Sequence, residues 1–254
     1  MNLNYKQFGN GTPLIILHGL FGSLDNWQTL ARQFAENFSV YIIDVRNHGK
    51  SPHTSEHDYI SIAEDLKEFM QQQNIDKAYF IGHSMGGKAV MQFSILYPEK
   101  VLKQVIVDIA PKKYGRGHDD IFDAIFSLNL NTLQSRNEAD AQLQKLIPDF
   151  GTRQFILKNL ERTEEGNYVW KFNLETLFRE YENVRGGITS NKPIDVETLV
   201  VKGEKSNYIT AEDEANFKTL FPKAIIASVS NAGHWVHAEN PAELLTLVNR
   251  FLIG

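Results

Sequence analysis

Ser84 stands in Lys77-Ala78-Tyr79-Phe80-Ile81-Gly82-His83-Ser84-Met85-Gly86-Gly87, an apolar run that passes into G-x-S-x-G and then into helix-forming residues. A serine hydroxyl is a weak nucleophile at its free pKa. Chemistry that uses it must expose it on a tight turn and set a base beside it. Gly82 and Gly86 carry no Cβ, which lets a strand and the following helix approach closely at that turn. The five-residue pattern alone arises by chance in glycine-rich loops. Context gives it weight, because Tyr79 to Ile81 reads as a buried strand and Lys88 to Leu96 as a helix stopped by Pro98. The chemistry implied is acyl transfer through a covalent intermediate.

Such a nucleophile needs a base, and in a fold that presents a serine on a strand-to-helix elbow the base is expected late in the chain, on a loop after the last strand. Ala224 to Val229 reads as that strand, followed by Ser230-Asn231-Ala232-Gly233-His234-Trp235 and by Asn240-Pro241, which opens a final amphipathic helix. His234 is therefore the expected general base. A lone Gly-His is more often a surface loop, and the upstream elbow in the expected chain order reverses that preference. The oxyanion of the tetrahedral intermediate calls for two backbone donors, the amide after the nucleophile and one from an early strand-to-helix loop. These map to Met85 and to Leu17-His18-Gly19-Leu20-Phe21-Gly22-Ser23, with the Leu20 N–H expected and Phe21 its near alternative. His18-Gly19 reads equally as a strand-ending turn with His18 hydrogen-bonded inside.

The orienting carboxylate normally follows the strand before the last one, yet Thr198-Leu199-Val200-Val201 leads into Lys202-Gly203-Glu204-Lys205-Ser206, with a serine where an aspartate is expected. A hydroxyl supplies no charge to stabilise an imidazolium. Val105-Ile106-Val107 ends in Asp108, one strand beyond the elbow strand, so Asp108 is the expected acid and Ser206 a second hydrogen-bond partner of the same imidazole. A strand-terminal aspartate capping the turn before Pro111 is the alternative for Asp108; Glu204 and Asp213 are weaker candidates.

These residues must be held by an α/β scaffold. Strands are expected at 14–17, 39–43, 78–82, 102–107, 198–201 and 224–229. Helices are expected at 26–37, 58–73, 86–97, 211–220 and 241–253, and residues 1–9 are a candidate edge strand. The alternation implies a mostly parallel sheet covered by helices on both faces. Residues 111–190 break it and carry helical spacing at Ile121, Phe122, Ile125, Phe126 and Leu128. They read as a helical lid inserted between the sixth and seventh strands, leaving 1–110 and 191–254 as the core. Its aromatic residues Phe122, Phe126, Phe150, Phe155, Trp170, Phe172, Phe178 and Tyr181 read mostly as the lid's own core. Phe21, Trp235 and Tyr208, beside the candidate chemistry, are the expected substrate contacts.

With 254 residues, 42% hydrophobic and 22% charged, the chain suits one large α/β domain with an insertion. A net charge of -5 argues against a nucleic-acid surface, which needs a basic face. No apolar run reaches membrane-span length, and the first residues lack the apolar stretch of a signal peptide. The absence of cysteine removes disulfides and thiolate metal sites, and a reducing cytoplasm is the expected compartment. Neither a metal nor an organic cofactor is expected.

His18-Gly19-Leu20-Phe21-Gly22-Ser23-Leu24-Asp25-Asn26, Asp44-Val45-Arg46-Asn47-His48-Gly49, Phe80 to Val90, Asp108-Ile109-Ala110-Pro111 and Gly233 to Glu239 together resemble the YbfF-type bacterial esterases of the α/β-hydrolase superfamily. The resemblance spans nearly the whole chain. It implies hydrolysis of short acyl esters, with acyl-CoA thioesters as further substrates, and implies that Ser206 and Asp108 both attend the histidine. A C–C bond hydrolase, a cofactor-free haloperoxidase and a catalytically silent ligand-binding protein are the alternatives on such a scaffold.

Other polar residues read as structural. Asp44 and Arg46 satisfy buried turn groups, Gly49 allows a tight bend, and His53 and His57 form a solvated pair without a third ligand. His237, nearer the last helix than His234, is structural as well. Lys112, Lys113 and Arg116 read as a solvated hinge or, for a CoA substrate, as phosphate contacts. Lys88, four residues after Ser84, has no account from the sequence alone.

Overall fold

Leu14-Ile15-Ile16-Leu17 and Phe38 to Ile43 have no polar face, and strands of that kind are stable only when both sides of the sheet are covered. The computed structural model describes residues 1–254 and places them so. Along the chain come β1 (Tyr5–Phe8), β2 (Thr12–Leu17), α1 (Gln28–Phe34), β3 (Phe38–Ile43), α2 (Tyr59–Gln72), β4 (Ala78–His83), α3 (Met85–Leu96) and β5 (Val101–Val107). Next come α4 (Asp119–Ser127), α5 (Arg136–Leu143), α6 (Phe150–Leu157), a hairpin of β6 (Leu160–Arg162) and β7 (Tyr168–Trp170), α7 (Leu174–Arg179) and α8 (Tyr181–Arg185). The chain ends with β8 (Thr198–Gly203), α9 (Ala211–Leu220), β9 (Ala224–Val229), α10 (Val236–Glu239) and α11 (Pro241–Ile253).

Seven strands form the large sheet in the order β1-β3-β2-β4-β5-β8-β9, parallel except for β1. The period of two in each strand sorts its side chains between two cores. Ile15, Leu17, Phe80, Ile106 and Val200 face α2 and α3, which contribute Ile62, Leu66, Phe69, Val90 and Phe93. Leu14, Ile16, Ile81, Val105, Val107 and Leu199 face α1 and α11, which contribute Leu30, Phe34, Leu244 and Val248. Asp58 caps α2 by accepting the Ser61 N–H, and Asn240 with Pro241 starts α11.

From β2 the chain steps outward to β3 and then returns past β2 to β4. The strand order therefore reverses between β2 and β4, where the carboxyl ends of neighbouring strands splay into a crevice. No helix is long and apolar enough to cross a membrane.

Several expectations differ from the structure. The inserted segment follows the fifth strand of the large sheet, not the sixth, because a single strand precedes β2. It is not purely helical: β6 and β7 pair antiparallel around a turn that includes Gly166. Of its aromatic residues, Phe122, Phe172 and Tyr181 are buried, whereas Phe126, Phe150 and Phe178 are exposed. The helix expected at 26–37 begins as a 3₁₀ turn at Leu24–Trp27 and gives way to the short α1.

Candidate active site

Ser84 joins β4 to α3 with φ 52° and ψ −120°, a conformation that costs energy for a residue with a Cβ. Its N–H donates to Val107 O at 3.0 Å, which pins the turn to β5. A Cβ on Gly82 would lie 2.3 Å from Gly86 O, and one on Gly86 would lie 2.6 Å from Leu17 O. Both glycines are required by close backbone approach, and the hydroxyl is thereby held out over the crevice.

His234 lies on the loop after β9. Its Nε2 is 3.1 Å from Ser84 Oγ and its Nδ1 is 2.8 Å from Asp108 Oδ2. Two contacts fix the residue: His83 Nε2 lies 2.8 Å from the His234 carbonyl, and the Tyr208 ring stacks on the imidazole at 3.7 Å between centroids. Asp108 follows β5 at φ 49° and is fully buried. Its Oδ1 accepts the Gly203 N–H at 3.1 Å, and its Oδ2 accepts the Ser206 hydroxyl at 2.5 Å. Ser206 thus bonds the carboxylate and not the imidazole, a correction to the expected pairing. The physical reason is orientation: the carboxylate fills the space at Nδ1, and the serine approaches it from β8. The weaker acid candidates lie elsewhere in the network, Asp213 on Lys112 and at the start of α9, and Glu204 on the Asn231 N–H.

The loop after β2 brings its backbone to the same place. Leu20 N–H and Met85 N–H have no protein acceptor, whereas Phe21 N–H donates to His48 Nε2 at 3.3 Å. That separates Leu20 from its neighbour, since only an unengaged donor is available to a developing oxyanion. The loop is locked reciprocally: His18 Nε2 accepts the Val45 N–H at 3.1 Å, and Asp44 Oδ1 accepts the Leu24 N–H at 2.7 Å. Burial lowers the pKa of both His18 and His48, which keeps them neutral and able to accept. Arg46 forms a buried two-point pair with Asp65 at 2.6 and 2.9 Å.

Two cavities meet at Ser84. The larger, about 440 Å³, is lined by Tyr59, Lys88, Ile109, Tyr114, Val184 and Tyr208. The smaller, about 50 Å³, is lined by Phe21, Ile121, Phe155, His234 and Trp235. Trp235 packs on Phe155 at 4.9 Å, and Phe21 packs on Phe122 at 5.0 Å. Phe21, Trp235 and Tyr208 therefore all border these cavities.

Lys88 now has a physical account. Its buried ammonium donates to Lys112 O at 2.9 Å, Arg185 O at 3.2 Å and Gly186 O at 2.5 Å, tying both ends of the inserted segment to α3. Lys112 pairs with Asp213, Lys113 with Glu182, and Arg116 with Asp119 and Glu182, so each cation expected at a phosphate already has a carboxylate. His57 is buried with Nε2 3.3 Å from Met85 Sδ, not solvated as expected; only His53 is exposed. His237 is buried and stacks on Trp27 at 4.7 Å. Sequence inspection passed over His118 and Tyr114, whose sole local signal is their place in a Gly-flanked stretch after Asp108.

Comparison with known proteins agrees with this architecture. Residues 12–241 match the family model for the alpha/beta hydrolase fold. The chain is 38% identical to esterase YbfF of Escherichia coli, covering 96% of this chain and 94% of that protein. It is 35% identical to the sn-1-specific diacylglycerol lipase ABHD11 of Danio rerio, covering 99% of this chain and 83% of that protein. A solved marine microorganism esterase superposes with a TM-score of 0.96 at 42% identity, covering 98% of each chain. On this evidence the chain belongs to the α/β-hydrolase family, among its esterase/lipase-type members.

Proposed function

We propose that the protein is a serine carboxylic-ester hydrolase acting through an acyl-enzyme on Ser84. The observation that carries this reading is the unbroken contact from Ser84 Oγ to His234 Nε2 and from His234 Nδ1 to Asp108 Oδ2, at 3.1 and 2.8 Å. His234 takes the Ser84 proton as Oγ attacks the ester carbonyl, and Leu20 and Met85 N–H groups hold the oxyanion. Collapse of the tetrahedral intermediate breaks the acyl C–O bond, and His234 returns the proton to the departing alkoxide. Water then attacks the acyl-enzyme by the same proton relay, releasing the acid. Asp108 holds Nδ1–H toward itself and so presents the Nε2 lone pair to the serine, while Ser206 and Gly203 hold Asp108.

Residues 111–190 act as a cap that shapes the larger cavity and excludes water, on a core of residues 1–110 and 191–254. Short uncharged acyl groups suit that cavity, where two of the lining tyrosine hydroxyls are engaged within the protein, Tyr114 with Tyr208 O and Tyr59 with Val184 O. Thioesters of the same acyl groups are a second substrate class. The names of the relatives, an esterase and a diacylglycerol lipase, support ester hydrolysis over the C–C hydrolase and haloperoxidase alternatives.

A fluorophosphonate probe tests the proposal. Labelling of the wild type at Ser84, with loss of labelling in Ser84→Ala, is the expected result. An unlabelled wild type refutes it and leaves the non-catalytic binding protein.

A further inference from the structure

His118 sits at the entrance to α4 and, like Ser84 and Leu20, lines both cavities. Its Nδ1 lies 2.7 Å from the Tyr181 hydroxyl, which also accepts the His118 backbone N–H at 3.1 Å. The tyrosine proton has no other acceptor in the protein, so the hydrogen-bond network assigns it to Nδ1 and leaves the imidazole proton on Nε2. Nε2 has no partner in the protein and is not sealed from the cavities. Burial, and after it the charge of nearby His234, lowers the His118 pKa to about 4. At neutral pH the ring is an uncharged donor.

The departing oxygen of an ester takes its proton from the imidazole that received the serine proton, so the alcohol portion lies on the His234 side. That side is the smaller cavity, whose walls include Phe21, Ile121, Phe155 and Trp235, together with Thr152, whose hydroxyl donates to Asp149, and His83, whose Nε2 is bonded to the His234 carbonyl. In such surroundings a plain alkyl alcohol strands the Nε2–H without an acceptor, whereas an oxygen near the scissile bond satisfies it. A donor stranded in a dry pocket penalises the mismatched substrate.

We propose that His118 is a specificity-determining residue whose Nε2–H selects esters with a hydrogen-bond acceptor, an ether, hydroxyl or second ester oxygen, on the alcohol portion beside the scissile bond. The proposal rests on the assignment of Ser84 and His234 made above.

The test uses 2-methoxyethyl butyrate and n-butyl butyrate, whose alcohols match in size and differ by one oxygen for one methylene. The ratio of their kcat/KM values is measured for the wild type, His118→Leu, His118→Gln and Tyr181→Phe. Comparing ratios between variants cancels the intrinsic reactivity difference of the two esters. The wild-type ratio is expected to exceed that of His118→Leu by about three- to tenfold, the worth of one neutral hydrogen bond. His118→Gln, which keeps an amide donor, retains part of the preference. Tyr181→Phe lowers it, because Nδ1 loses the proton that fixed the tautomer. If His118→Leu fails to fold, Tyr181→Phe carries the same comparison. Equal ratios in wild type and variants overturn the proposal, including the case where both rates fall together, the mark of a purely structural role. A wild type that a fluorophosphonate labels at Ser84 but that shows equal ratios sinks this proposal alone. A wild type that cleaves neither ester and takes no label removes the hydrolase reading and this proposal with it.

Discussion

Ser206 and His234 converge on the same atom of Asp108, the serine hydroxyl at 2.5 Å and the imidazole Nδ1 at 2.8 Å from Oδ2. The carboxylate comes from the end of β5 and the hydroxyl from the loop after β8, two adjacent parallel strands. Asp108 N–H is bonded to Val201 O at 2.8 Å, which aligns those two strand ends. A carboxylate placed one strand away from the expected position thus reaches the histidine, and the serine that stands in the expected position buttresses it.

That arrangement ranks two substitutions. Asp108→Asn turns an amide N–H₂ toward Nδ1 and favours the wrong imidazole tautomer, so kcat should fall by about 10³ to 10⁴. Ser206→Ala removes one donor and leaves the carboxylate bonded to Gly203 and His234, so the loss should be about tenfold or less. Steady-state kinetics with p-nitrophenyl butyrate, on variants shown to be folded by circular dichroism, measures both. A larger loss for Ser206→Ala would sink the assignment.

Two glycines should respond oppositely to the same change. A Cβ on Gly203 would lie 2.1 Å from Gly233 O, next to His234, whereas one on Gly115 would meet nothing within 4 Å. Gly203→Ala must push the histidine loop off β8, and is expected to lower stability by about 1–3 kcal/mol, as overpacking does, and to lower kcat with it. Gly115→Ala should leave stability unchanged. Thermal melts on the pair and kcat for Gly203→Ala provide the check.

Lys88 should make stability depend on pH in the alkaline range. Burial, and then the charge of Lys112, lowers its pKa from 10.5 to about 7. Between those values the unfolded chain holds a proton that the folded chain has lost, so this group favours folding increasingly as pH rises, by up to about 1.4 kcal/mol per pH unit. Lys88→Met abolishes that dependence and strands three carbonyls, a loss of about 2–4 kcal/mol. Urea unfolding at pH 7 and pH 9 should show the gap between wild type and variant widening at the higher pH. A constant gap would mean that burial does not hold this amine below its ordinary pKa.

Buried histidines should make the protein acid-labile. Burial is the leading cause lowering His18, His48, His57, His83, His118 and His237 below 6.5, with His57 and His237 at about 3 and His118 at about 4. Their contribution is whole above pH 6.5 and is lost as pH falls toward the folded values, because the unfolded chain binds protons that the folded chain cannot. Each residue costs up to about 1.4 kcal/mol per pH unit in that window. Calorimetry at pH 5 in buffers of different ionisation enthalpy should register an uptake on the order of four to six protons on unfolding. Uptake near zero would mean that these imidazoles are not held neutral.

The elements that carry the site were legible in the sequence because their signals are local. Apolar runs bounded by glycine and proline locate strand ends, and the expected bounds of α9, β9 and α11 match the structure residue for residue. Ser84 and His234 announce themselves through the turns that hold them, and at Ser84 the flanking glycines are dictated by backbone contact. What needed the tertiary structure was every relation across strands: that Ser206 bonds Asp108 and not the imidazole, that His48 engages Phe21 N–H and leaves Leu20 free, that Lys88 clasps the stem of the insertion, and that His57 is buried. Periodicity records which face a residue turns inward, and carries no record of which distant group it meets there. That partner depends on strand order and on the direction of side chains about a hundred residues apart, such as Asp108 and Ser206, which come within reach only once the sheet has formed.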